Sequence, residues 1–187
     1  LILYASLNDF QQTNVIGGLL GQGTRGVTEG LQNRVILPIT GSYREFHHVL
    51  VHELVHAFQF DMMLHSKDIE QNNRFNPPLW FVEGMAEYLS NGMDNTTRMW
   101  VRDGLTHGHL LSVEQLNNAF DIRVYRLGQS LWHYIGETHG KEIVGKIFKS
   151  AVRSGSREVA LTKHLGIKLK QLTENWHAYA RDMAIPK

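Results

Sequence analysis

Residues 52–61 read "HELVHAFQFD". Within this largely apolar stretch His52 and His56 stand four residues apart, so on an α-helix they project from one face about a turn apart. Two imidazoles so placed can reach one ion, and Glu53, roughly 100° round the helix, approaches it from the side. This is the H-E-x-x-H arrangement: two nitrogen ligands for zinc and a carboxylate set to act on zinc-bound water. The chemistry needs the motif on a helix, and the flanking residues predict one. Ser42 followed three residues later by Glu45, in "SYRE", forms a capping box that starts a helix near Tyr43. That helix is expected to carry Phe46, Val49, Leu50, Leu54 and Phe58 into the core.

Upstream, "LILYAS" predicts a short buried strand and "LNDFQQTN" a helical turn or two. Residues 17–30, "GGLLGQGTRGVTEG", predict a glycine-rich loop feeding a strand. Its "GQGTRG" matches G-x-G-x-x-G, but a dinucleotide loop must open a helix that faces the pyrophosphate. The next run, "NRVILPI", is instead a β-branched strand signal, so a flexible β-loop is the reading. Downstream, "NPPLW" at 76–80 stops and restarts the chain, because prolines suit a loop and the first turn of a helix. "LWFVEGMAEYLS" has helical spacing, and from residue 94 helix follows helix, with "SVEQ" at 112–115 a second capping box. No repeat, low-complexity tract or linker interrupts this pattern. One domain over 1–187 is expected, of the α+β class. It should have a small, mostly antiparallel N-terminal sheet, the motif helix behind it, and a helical C-terminal half.

The chain has 187 residues, enough for one sizeable core. Hydrophobic residues at 42% and charged residues at 20% are ordinary globular values. A net charge of +1 without a dense Lys/Arg stripe argues against a nucleic-acid or anionic-membrane partner. No apolar run approaches the ~20 residues needed to span a bilayer. The absence of cysteine excludes disulfides and thiolate metal sites. Beginning at Leu1 on strand-like residues, the chain reads as a piece of a longer polypeptide.

A catalytic zinc takes three protein ligands and keeps a position open for water. The third ligand can be His, Asp or Glu, and "WFVEGMAEY" at 80–88 offers Glu83 and Glu87, again four apart on one helical face. "HELVH" followed by "LWFVEGMAEY" resembles the gluzincin peptidases, in which a second helix carries N/V-E-G/A-x-A to the metal. The closer likeness is to the peptidase MA-like domains of bacterial envelope proteins, some fused to propellers of the TolB type. The resemblance implies a zincin-like fold, one zinc ion per chain and a peptide or protein substrate. It implies Glu83 as the third ligand, Glu53 as general base, and a periplasmic or cell-envelope setting with a propeller domain outside this chain. It also makes Glu87 the acid that orients a ligand histidine, a role that stands unaided, since a metal-bound imidazole normally donates its other N–H to a carboxylate or carbonyl. Twenty-six residues separate His56 from Glu83, more than in the families named, and the excess reads as a longer loop, "DMMLHSKDIEQNNRFNPP".

"VYRLGQSLWHYI", residues 124–135, resembles the Y-x-K-G-x-x-x-L helix of zinc aminopeptidases. On that likeness Tyr125 donates to the developing oxyanion, and Gly128 lets its helix approach closely. The alternative for Tyr125 is an aromatic packing residue. His48 shares the face of His52 and His56 and is expected to line the cleft or contact a ligand. The "HGH" at 107–109 offers either two imidazoles to a metal or an exposed loop. Glu29, in "GVTEG", is a candidate on a strand lining the cleft, but the G-x-M-E-N segment that aminopeptidases place there is missing. The reading therefore favours internal cleavage over aminopeptidase action. Two other readings remain open. One is a catalytically silent, peptidase-like binding module of a larger envelope protein, against which the intact Glu53 speaks. The other is a structural metal closed by a fourth ligand such as His48 or His109.

Overall fold

Three short strands open the chain and helices fill the rest, in a computed structural model that describes residues 1–13, 15–17, 20–21, 23–65 and 75–184. Strand β1 (Ile2–Tyr4) leads through α1 (Leu7–Gln11) to β2 (Val27–Glu29), a 3-10 turn at Gly30–Gln32, and β3 (Arg34–Pro38). The long α2 (Tyr43–His65) carries "HELVH" and is followed by α3 (Leu79–Asn91), α4 (Asn95–Thr106) and α5 (Val113–Leu116). The chain then runs through α6 (Arg123–His139), α7 (Glu142–Ser154), α8 (Arg157–Leu165) and α9 (Leu169–Ala184). The class is α+β, as expected.

The sheet is not mostly antiparallel. Its order is β1-β3-β2, with β1 parallel and β2 antiparallel to β3. β1 and β3 lie in direct register, Ile2 opposite Ile36, at the end of a connection that includes α1, the kind of crossover that parallel strands require. Nor is β1 a buried strand. It lies at the sheet edge with Leu3 45% exposed, and the buried apolar residues belong to the central strand, at Val35, Ile36 and Leu37.

Both capping boxes start helices where expected. The Ser42 hydroxyl accepts from Glu45 N at 3.3 Å, and Ser112 and Gln115 close both halves of the second box. The Glu45 side chain pairs instead with Arg25. The burial of α2 differs from expectation: Leu54 is 40% and Phe58 66% exposed, whereas Glu53 and Gln59 are buried. The cause is helical geometry. Residues two positions apart are rotated by about 200°, so turning His52 and His56 toward α3 turns Leu54 and Phe58 away from it. The expected 61–78 loop is also shorter than thought. Its first five residues, Asp61 to His65, continue α2, and 66–74 lie outside the described residues.

The core sits where α3 crosses α6. Trp80, Phe81, Trp132 and Phe148 are fully buried there, and their rings pack at centroid distances of 5.1 to 6.2 Å. The buried indoles keep hydrogen-bond partners: Trp80 donates to Asn117 Oδ1, Trp132 to the Phe81 carbonyl and Trp176 to Ser130 Oγ. Two glycines face each other at the crossing. A Cβ on Gly84 would lie 2.4 Å from the backbone carbon of Gly128, and one on Gly128 would lie 2.7 Å from the Trp80 carbonyl oxygen. Only glycine allows this approach, which sets the helix of Glu83 and Glu87 against the helix of Tyr125.

Candidate active site

A cleft of about 760 Å³ runs between β2 with its preceding loop, α2, α3 and the start of α6. Glu53, His52, His56, His48, Glu83, Glu87 and Tyr125 all line it, joined by Gly26, Thr28 and Arg126. The cleft therefore lies between the helices of His52, Glu83 and Tyr125, where the sequence places it.

His52, His56 and Glu83 each turn one ligand atom to a common point. His52 Nε2 and His56 Nε2 are 3.0 Å apart, and Glu83 Oε2 lies 3.2 Å from His56 Nε2 and 3.4 Å from His52 Nε2. The outer nitrogens decide what faces this point. Gln59 donates its Nε2 to the Val82 carbonyl at 3.1 Å, which turns its Oε1 toward His56 Nδ1 at 2.8 Å. An amide oxygen only accepts, so His56 carries its proton on Nδ1 and presents a lone pair at Nε2. His52 Nδ1 lies 3.3 Å from Glu87 Oε1, an ion-pair distance without good hydrogen-bond alignment, and the carboxylate likewise favours the proton on that nitrogen. With both imidazoles neutral, two lone pairs and a carboxylate oxygen thus converge with no donor between them. That arrangement is repulsive unless a cation joins it.

The spacing suits zinc. Bonds of about 2.0–2.1 Å arranged tetrahedrally put neighbouring ligand atoms about 3.3 Å apart, close to the three separations found. Among the described residues, no other group of His, Asp and Glu gathers in this way. Without a metal ion, a proton on His52 supplies the positive charge that joins the cluster. Burial works against charge on His52, but the neighbouring carboxylates of Glu83 and Glu87 outweigh it and raise its pKa to about 9. Burial likewise works against charge on Glu83, yet the two histidines lower its pKa to about 2.

Further contacts lie behind these side chains. Glu87 accepts from Arg126 Nη1 at 3.1 Å, and Arg126 also faces Asp94 at 3.7 Å. Burial opposes ionisation of Glu87, but His52, His48 and Arg126 hold its pKa below the ordinary carboxylate value. His48 lies 3.8 Å from Glu87 through Nε2 and bonds to Ser90 through Nδ1 at 2.9 Å, so it contacts the acid rather than the ligand cluster. Tyr125 lines the cleft; burial pushes its hydroxyl up to about 12, with the charges of Glu83, Glu87 and Glu53 adding to the effect. It stays a protonated donor at neutral pH.

Two candidates fall away. Glu29 does not line the cleft: its carboxylate accepts from Arg34 Nε at 2.7 Å, opposite it in the β2–β3 register. Side chains alternate along a strand, and Thr28, its neighbour, is the one that points to α2. His107 and His109 stand away from the cleft at the end of α4, with His107 on Asp103 at 3.2 Å, so neither supplies a fourth ligand. Thr28, Gly26, Gln59 and Arg126 are the site residues that sequence reasoning missed. Of these only Gln59 left a trace, as a polar residue between Phe58 and Phe60 three positions after His56.

Compared with known protein families, residues 2–182 match the model of the Peptidase MA superfamily. No curated protein and no solved structure matches the chain.

Proposed function

We propose, for a chain that belongs to the Peptidase MA superfamily, zinc-dependent hydrolysis of peptide bonds at the cleft between α2, α3 and α6. The observation that carries this reading is the convergence of His52 Nε2, His56 Nε2 and Glu83 Oε2 within 3.4 Å of one another, with Gln59 behind His56 and Glu87 behind His52. When bound, zinc supplies a Lewis acid that polarises the peptide carbonyl and lowers the pKa of water toward ~7.

The chain's own residues perform the rest. Glu53 accepts a proton from the attacking water on its carboxylate and later delivers it to the leaving amine. Tyr125 donates its hydroxyl hydrogen to the carbonyl oxygen as negative charge develops there. Gln59 and Glu87 hold the rings of His56 and His52, which keeps both Nε2 atoms directed inward. Arg126 in turn holds Glu87.

The engagement of the acids near the cleft supports internal cleavage. An exopeptidase acting at the amino end needs a free carboxylate for the substrate's ammonium group. Among the described residues near the cleft, Glu45 pairs with Arg25, Glu29 with Arg34, and Glu87 with Arg126 and His52. Residues 1–187 act as one peptidase domain in this reading. A setting in a bacterial envelope beside a propeller is its finest part and rests on "HELVH" and "LWFVEGMAEY" alone.

Metal analysis paired with digestion of a peptide library tests the proposal. One zinc per chain and cleavage that a chelator stops and zinc restores are expected. One zinc per chain with every peptide intact would overturn hydrolysis and favour the silent binding module. Failure of the chain to take up zinc would overturn the ligand assignment.

A further inference from the structure

We infer that Thr28 is a positioning residue: its hydroxyl holds the Glu53 carboxylate in the orientation that proton transfer needs. The inference rests on Glu53 acting as general base, as proposed above. Thr28 Oγ1 lies 2.7 Å from Glu53 Oε2 and 2.8 Å from the Glu53 main-chain oxygen. Glu53 is only 7% exposed, and among the described residues Thr28 is the side chain that hydrogen-bonds its carboxylate.

The placement comes from the sheet. β2 pairs with β3 at Val27 with Ile36, Thr28 with Val35 and Glu29 with Arg34, and this register turns Thr28 toward α2. A slip of one residue would put Val27 or Glu29 there, leaving a methyl or a second carboxylate against the base. Gly26 closes the other side. A Cβ at Gly26 would lie 2.8 Å from both Cγ and Oε1 of Glu53, so a side chain there would displace the carboxylate from its place. The base is therefore held at Oε2 by a hydroxyl and flanked at Oε1 by the Gly26 backbone.

The two acceptors at Thr28 suit a group that changes protonation during turnover. A hydroxyl has one proton and two lone pairs. It donates to Oε2 while Glu53 is a carboxylate. When Glu53 takes the proton from water on the oxygen that Thr28 does not hold, the hydroxyl stays on Oε2 or turns its hydrogen to the main-chain oxygen of Glu53.

Thr28→Val tests this, since valine keeps the shape and the β-branched strand preference and removes only the hydroxyl. With the zinc-loaded full chain, kcat should fall roughly tenfold to a hundredfold, the effect of a lost hydrogen bond to a charged group. KM and zinc content should hold, and Thr28→Ser should restore most of the loss. In a Glu53→Gln background the valine should cost nothing further, because the group it positions is already gone. Crystal structures supply the second readout: the Glu53 carboxylate should leave its place in Thr28→Val and return in Thr28→Ser. A Thr28→Val protein that keeps more than half of its kcat, or whose Glu53 carboxylate has not moved, overturns the inference. If the parent cleaves nothing, the peptidase reading fails separately, and the crystallographic comparison still decides whether Thr28 holds Glu53.

Discussion

Gly84→Ala is the substitution that most sharply probes how the site is assembled. The added Cβ would meet three backbone atoms of α6 at 2.4, 2.6 and 2.9 Å, where ordinary contact begins near 3.4 Å. Relieving the closest contact takes 3.4 − 2.4 = 1.0 Å of movement, and no flexible side chain is there to yield. Overpacking of this kind costs about 1–3 kcal/mol, and removing a helical glycine returns at most about 1 kcal/mol. The net loss, up to about 2 kcal/mol and toward that upper end because only backbone can yield, should lower Tm by up to about 8 °C in a chain of this size. Because α6 carries Tyr125 and Arg126, and α3 carries Glu83 and Glu87, the same ångström separates the site's halves. A displacement of that size typically costs about 10²-fold in kcat/KM. Gly145→Ala is the control, since its Cβ would meet nothing within 4 Å on the exposed side of α7. It should gain roughly 0.5–1 kcal/mol and leave cleavage alone. A calorimetric melt and a progress curve on each variant suffice. If Gly84→Ala melts at or above the parent with its kcat/KM intact, the glycine contact does not govern the packing of α3 on α6.

Tyr125→Phe should lower kcat and kcat/KM together by about 10²-fold, with zinc content and Tm almost unchanged, since the ring stays and only the donor is lost. Retention of more than half of kcat would make Tyr125 a packing residue. Glu87→Gln should weaken zinc binding some 10- to 100-fold in a competition titration, because His52 Nδ1 then loses its charged partner. Unchanged affinity would remove Glu87 from any role in orienting the histidine.

Much of the helical framework was legible because its signals are local. Capping residues at Ser42 and Ser112, and pairs four apart at His52/His56 and Glu83/Glu87, need no knowledge of tertiary contacts. The rest depends on what packs against what. Periodicity says that one face of α2 holds the histidines, yet it assigned Leu54 and Phe58 to the interior, because apolar character alone does not say which face the core takes. Strand direction was missed for a related reason: β1 and β3 are parallel because of the route between them, not because of their residues. Glu29 and Thr28 are adjacent letters with opposite fates, and only the register against β3 separates the one on Arg34 from the one on Glu53. Arg126 acts through a partner 39 residues away, and Gln59, three residues from His56, is aimed by a carbonyl 23 residues away; no spacing rule reaches either long contact.

The central claim is that Glu53 moves the proton in a zinc-dependent cleavage, and Glu53→Gln addresses it directly. The amide keeps the shape and cannot accept the proton. Zinc content and digestion of amino-terminally acetylated peptides would be measured side by side for the parent and the variant. The account predicts that both proteins hold one zinc per chain, that the parent cuts the blocked peptides at internal bonds, and that the variant cuts none of them. A variant that turns over as fast as the parent would contradict it.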